Sequence, residues 1–170
     1  MANEIDKSWN KFIDDTRRKV NDVLTGIESH SKMPFTRPNP DTWIVDLPST
    51  RVHIKRNGPY ITNSSELMDD VEGPNEGIFY KELLQTSGSM NRLHVGVENN
   101  KITLNSERSA DEINPKNMVE DFILHHKGRQ LLFKPAVRRA HELGLQWRQK
   151  EDEEPSGLSR LIQQNRRQLP

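Results

Sequence analysis

Apolar and polar positions alternate most cleanly from Met90 to Ser106, MNRLHVGVENNKITLNS. Leu93, Val95 and Val97 alternate with Arg92, His94, Gly96 and Glu98, and Ile102 and Leu104 alternate with Lys101, Thr103 and Asn105. A period of two is that of a strand with one buried face. Asn99-Asn100 separates the two runs, and Asn tolerates the positive φ that a two-residue type I′ turn needs. Pairing outward from that turn sets Glu98 opposite Lys101, Val97 opposite Ile102 and Val95 opposite Leu104. This register gives an opposite-charge pair at the turn and puts the apolar side chains on one face.

The same alternation occurs earlier. Thr42 to Leu47 places Trp43, Val45 and Leu47 on one side, and Arg51 to Arg56 places Val52 and Ile54 inward. Asn57-Gly58 is a strong hairpin dipeptide, and Tyr60 to Thr62 returns from it. Pairing out from Asn57-Gly58 sets Ile54 opposite Ile61. The polar alternate positions predict a sheet covered on one side only.

Elsewhere the period lengthens. Ile5, Trp9, Phe12, Ile13, Val20, Val23, Leu24 and Ile27 recur in steps of three and four, with Thr16 in the one gap, and predict an amphipathic helix. Ser29 to Asp41 holds Pro34, Pro38 and Pro40 and reads as a linker. Asn63 to Asn75 is acidic and punctuated by Gly73-Pro74, and Glu76 to Gln85 reads as a short helix. Ser106 to Asn114 reads as a polar connection. Asn114-Pro115 is a helix start, an N-cap followed by Pro in the first turn. Met118, Val119, Phe122 and Ile123 continue that helix. Gly128 and Pro135 predict a break or a kink in it, and Gly144 is placed to end it.

The resulting order is α-β-β-β-α-β-β-α. It defines an α+β fold with an antiparallel sheet of about five strands and helices packed on one face. Residues 1–150 are expected to form one domain and 151–170 a flexible tail. That tail opens with the acidic, breaker-rich Glu151–Gly157. Leu158, Leu161 and Ile162 follow at helical spacing among Arg160, Arg166 and Arg167. A solvated end and a short helix formed on a partner are its two readings.

Composition narrows the function classes. The 170 residues are 32% hydrophobic and 29% charged, with a formal net charge of zero, which argues against whole-surface attraction to duplex DNA. Ser64 to Glu82 carries six acidic residues and one Lys, and His126 to Lys150 carries seven basic residues and one Glu. Two solvated faces of opposite sign are the plainer reading, and a self-contact or partner contact the sharper one. The absence of Cys excludes disulfide scaffolds and thiol nucleophiles. The first residues, MANEIDKSWNKF, lack the apolar core of a signal peptide, and no apolar run approaches the roughly 18 residues of a membrane span. A cytoplasmic protein without a membrane partner is expected.

Candidate chemistry is sparse. His125 and His126 are adjacent and diverge by about 100° on a helix, which disfavours a shared metal. His53 and His94 occupy outward strand positions and would converge only if their strands were neighbours. Asp14-Asp15, Asp69-Asp70 and Glu153-Glu154 lack the apolar setting that raises a carboxyl pKa for acid catalysis, and read as solvated charge. Ser106 has no base in a recognisable pattern, and no phosphate-cradling glycine motif occurs. No catalytic residue, metal or cofactor is therefore expected. The basic run Lys127, Arg129, Lys134, Arg138, Arg139, Arg148 and Lys150 could contact phosphates, but Phe133 and Trp147 are the only aromatics there for base stacking.

The order of elements, from the leading helix Ile5–Ile27 through Trp43 to about Leu145, resembles that of the type III secretion chaperone-like and YbjN-type proteins. The segment YKELLQTSGSMNRLHVGVENNKITLNSERS, followed by the Pro115 helix, carries the resemblance most. It implies a non-enzymatic α+β domain that binds a segment of a partner protein in a chaperone-like or adaptor role, with a homodimer as the associated assembly. A regulatory nucleic-acid-binding protein using the basic helix is the alternative. On these readings Leu158, Leu161, Ile162, Arg138 and Arg139 are the candidate partner-binding residues.

Overall fold

The computed structural model describes residues 2–31 and 33–148. In chain order these form α1 (Ala2–Ser31), β1 (Phe35–Asn39), β2 (Thr42–Leu47), β3 (Thr50–Asn57), β4 (Tyr60–Asp69), β5 (Val71–Glu72), α2 (Glu76–Ser87), β6 (His94–Glu98), β7 (Lys101–Ser109), a single 3-10 turn (Ala110–Glu112), α3 (Pro115–Glu142) and β8 (Gln146–Trp147). Six strands make one antiparallel sheet in the order β1-β2-β3-β4-β7-β6, and β5 and β8 form a separate two-stranded ribbon. The α+β class and the succession of helix, strands, helix, two strands and helix are those read from the sequence, with β1, β5 and β8 added to it.

Turn chemistry explains the sheet. Asn99 and Asn100 have φ of 52° and 57°, as a type I′ turn demands, and Glu98–Lys101, Val97–Ile102 and Val95–Leu104 pair as predicted. The neighbouring hairpin differs. Asn57 pairs with Tyr60, so the loop is Gly58-Pro59, with Gly58 at φ 61° and Pro59 supplying the fixed negative φ of the second turn position. Ile54 consequently faces Asn63, and Ile61 faces Arg56. This corrects the expected Ile54–Ile61 pair by two residues. Both isoleucines remain fully buried, because a two-residue shift keeps every side chain on its face.

Three other segments depart from the sequence reading. The proline-rich stretch expected as a linker contains β1, where Pro38 lies on the outermost strand and needs no second neighbour for a missing N–H. The return strand expected at Tyr60–Thr62 runs on to Asp69, and the connection expected from Ser106 is strand as far as Ser109. The closing helix is unbroken from Pro115 to Glu142. Pro135 and Leu131 are exposed, so the carbonyl of Leu131 that loses its partner lies on the solvated side. Gly128 is a close-approach residue: a Cβ there would lie 2.4 Å from Leu93 Cδ2. The cap is as expected, with Asn114 Oδ1 accepting from the Asn117 N–H at 3.0 Å and Gly144 past the end at φ 69°.

Helices α1 and α3 cover one face of the sheet, and the other is polar. The core has two apolar clusters. One gathers Val20 and Leu24 of α1, Trp43, Val52, Ile54, Ile61, Met118 and Phe122, and the other Leu67, Phe79, Leu83, Leu93, Ile102, Leu104, Leu132 and Ala136. Between them lies a seam of buried polar side chains. On β4 it is Asn63 and Ser65, on β7 Ser106 and Arg108, and on α3 Asp121 and His125. Arg108 donates to Asp121 from Nε at 2.9 Å and from Nη2 at 2.7 Å, and Asn63 Nδ2 donates to Asp121 Oδ2 at 3.1 Å. A second polar latch fastens α1: Asp41, in the β1–β2 turn, accepts from Arg17 at 2.9 and 2.7 Å and from Arg56 at 2.5 Å. These guanidiniums hold the Asp41 carboxyl well below the usual carboxylate range.

Removing one partner of a buried ion pair leaves the other uncompensated. Asp121→Ala is therefore expected to lower unfolding free energy by about 3–5 kcal/mol in urea titration. The double change Arg108→Met with Asp121→Leu is expected to recover most of that loss. Equal losses in the single and double variants would contradict the role given to the pair.

Candidate partner-binding surface

The buried seam contains a grouping that resembles a nucleophile with its base; a second Ser–His contact, Ser49 Oγ to His126 Nδ1 at 2.6 Å, is exposed, and the other nitrogen of that ring meets Gln130 at 2.9 Å rather than a carboxylate. Ser106 Oγ lies 3.0 Å from His125 Nε2, Ser65 Oγ lies 2.8 Å from Nδ1, and Asp121 is one helical turn earlier on α3. No local pattern announces a base for Ser106, because the two residues sit on different elements. His125 is 0% exposed and Ser106 1%, and Asp121 is committed to Arg108, so no substrate reaches the hydroxyl. The neutral imidazole donates from one nitrogen and accepts at the other, a satisfied core histidine. Burial holds its pKa down at about 4, against a smaller upward pull from Asp121 and a downward one from His94.

The other candidates disperse. His53 on β3 and His94 on β6 are exposed and separated by β4 and β7. Asp14 and Asp15 pair with Arg17 and Arg18, in keeping with surface charge. Asp70 corrects that reading: it is 5% exposed and accepts from the Tyr80 hydroxyl and the Val71 N–H. Glu153-Glu154, Leu158, Leu161 and Ile162 lie outside the described residues. Among the described residues no group of three or more His, Asp or Glu is placed to hold a metal, and no helix is long and apolar enough to cross a membrane.

Part of the charge asymmetry resolves into a self-contact. Arg139 of the basic stretch grips Glu82 of the acidic one at 2.6 and 2.8 Å, and Arg148 pairs with Asp70 at 3.0 Å and Glu76 at 3.5 Å. Arg129 Nη1 donates to the Glu66 and Leu67 carbonyls, both at 2.6 Å, where β4 bulges against β7. Lys127, Lys134 and Arg138 remain exposed on α3, with Leu131 among them 64% exposed.

Among the surface features left are a strand edge and a groove near it. Counting from the two-residue turn, Glu98, Gly96 and His94 exchange hydrogen bonds with β7. Val95 and Val97 therefore turn their N–H and C=O groups to the free edge of β6, and Val97 is 54% exposed. The opposite edge, β1, is blunted by Pro38 and an irregular register, whereas β6 has no proline, lysine or bulge. Helix α2 packs beside β6 and forms with α3 a groove of 340 Å³ floored by Phe79, Leu83, Leu132 and Ala136. Arg138 and Arg139, candidates from the sequence, stand on its rim. The edge itself was missed, because which strand ends a sheet is not written in its alternation.

No protein-family profile and no curated protein matches this sequence. Solved structures do match in fold. A chain of the ExsC–ExsE complex superposes with a TM-score of 0.57 at 12% identity, covering 69% of this chain and 92% of its own. A chain of the HopA1–SchA chaperone–effector complex superposes with a TM-score of 0.57 at 5% identity, covering 71% of this chain and 98% of its own. The chaperone-like fold implied by the sequence resemblance is thus the fold observed.

The seam histidine carries a pH dependence of stability. Its folded pKa, about 4, lies below the ordinary value of 6.5, so between the two the unfolded chain takes the proton and the fold does not. Stability from this group is complete above pH 6.5 and falls as pH drops toward 4, by on the order of 3 kcal/mol. His125→Gln is expected to flatten unfolding free energy against pH over that window in urea titrations. An unchanged slope would show that His125 does not supply it.

Proposed function

We propose that the protein is a non-enzymatic protein-binding module, chaperone-like or adaptor in role, that holds an extended segment of a partner protein. One observation carries this reading: β6 presents backbone groups of Val95 and Val97 that no described residue pairs, and α2, which packs against β6, forms one wall of the apolar groove with α3. A partner strand added to β6 gains main-chain hydrogen bonds there, and the groove supplies side-chain discrimination. Arg138 on the groove rim favours carboxylate-bearing partner side chains, and Arg139, held by Glu82 and Glu142, orders that rim beside it. The fold shared with a chain of a chaperone–effector complex supports the same role. The reading includes residues 1–150 acting as one domain, a homodimer and a cytoplasmic setting. Sedimentation equilibrium tests the assembly, and a monomer mass at micromolar concentration would remove the dimer.

Val97→Pro deletes a donor on the free edge while leaving the β6–β7 ladder intact. With a partner segment isolated by affinity capture on the full chain, this variant is expected to bind about tenfold or more weakly at unchanged circular dichroism. Arg138→Glu, which leaves the Arg139–Glu82 pair in place, is expected to weaken binding as well. Wild-type affinity in Val97→Pro would exclude strand addition at β6.

A further inference from the structure

On the other side of α3 lies a cleft of 770 Å³ that the proposed partner site does not use. Its rim is polar, with Asp46, Arg51, Glu66, Asp69 and Lys101 among its residues. Its apolar part is Leu47, Leu67, Met68, Phe133, Val137 and Trp147, of which Trp147 and Phe133 are 40% and 36% exposed. Arg129 stacks over the Phe133 ring at 4.8 Å, which fixes that wall. The other wall is the end of the described chain. Trp147 belongs to β8, pinned by its pairing with β5, and the Arg148 N–H donates to the Asp70 carbonyl at 2.8 Å. His141 packs edge-on against the Trp147 ring at 5.9 Å. Whatever follows Arg148 therefore starts at the mouth of the cleft.

We propose that Leu158–Ile162 of the same chain docks in this cleft. The sequence after Arg148 holds a nine-residue connection, 149–157, that includes Pro155-Ser156-Gly157 and permits a reversal of direction. Fully extended, such a connection reaches about 30 Å, and as a flexible chain it averages about 16 Å. Leu158, Leu161 and Ile162 then offer three apolar side chains on one helical face, with Arg160 turned away from it. A short tether from the cleft's own wall gives an effective concentration on the order of millimolar, so even a weak apolar contact is populated in cis. The segment covers Trp147 and Phe133, which would otherwise be an adhesive surface. This occupant is independent of the partner reading, since it lies at a different groove.

The chain has no Cys, so Ser159→Cys in the full-length protein takes a nitroxide label at one position only. The amide signals of Met68, Phe133, Val137 and Trp147 are expected to be lost to paramagnetic broadening, while those around the α2–α3 groove persist. Adding Leu158→Asp, Leu161→Asp and Ile162→Asp is expected to restore them, with other shifts unchanged as the check on folding. An equal mixture of ¹⁵N-labelled unmodified chain and unlabelled nitroxide chain is expected to show no broadening. Retained cleft signals in the labelled chain, broadening that survives the triple change, or broadening in the mixed sample, which would mean a second copy's segment, would each overturn cis docking.

Discussion

The buried Arg108–Asp121 pair, with Asn63 and the Ser65–His125–Ser106 bridge beside it, is the constraint on which the rest of the fold depends. It crosses β4 and α3 where each passes from one apolar cluster to the other, and it takes in β7 just beyond Ile102 and Leu104. Along α3 the order is Met118 and Phe122, then His125, then Leu132 and Ala136. Hydrophobic packing alone is indifferent to a two-residue slip between strands, because inward residues remain inward. The polar seam is not. A slip of two residues between β4 and β7 would separate Asn63 from Ser106, and a turn's shift of α3 would leave Arg108 and Asp121 buried without each other. The seam thus adds a register to a sheet that alternation leaves degenerate, and it couples α3 to two strands at once.

That division also explains how much of the architecture was legible beforehand. Elements with a strong period or a specific turn dipeptide were read correctly: α1, the Asn99-Asn100 hairpin and the Asn114-Pro115 helix start. The Ile54–Ile61 pairing failed by two residues, because alternation alone does not settle register and Gly58 takes the first turn position with Pro59 the second. Strand β1 was hidden by prolines that a central strand would not tolerate and an edge strand does. Pro135 and Gly128 suggested breaks that tertiary packing overrides, one by facing solvent and the other by meeting Leu93. The Ser106–His125 contact and the internal use of Arg139 and Arg148 join residues far apart in sequence, and no local pattern announces them.

The surfaces follow from the same layering. With α1 and α3 over one face and an open polar face opposite, the unsatisfied groups lie at the sheet's two ends. Proline and irregular pairing quiet one end at β1, which leaves β6 as the receptive edge, flanked by α2. Two of the basic side chains are drawn inward, Arg139 of α3 by Glu82 and Arg148 beyond it by Asp70 and Glu76. What remains outward is a mixed stripe of Lys127, Leu131, Lys134 and Arg138.

Native-state amide hydrogen exchange tests most directly whether the seam binds the two clusters into one cooperative unit. The amides of Ile54 and Ile61 on one side, and of Leu104 and Leu132 on the other, are predicted to exchange with the same opening free energy and the same denaturant dependence. Two distinct opening energies, one for each cluster, would contradict the account.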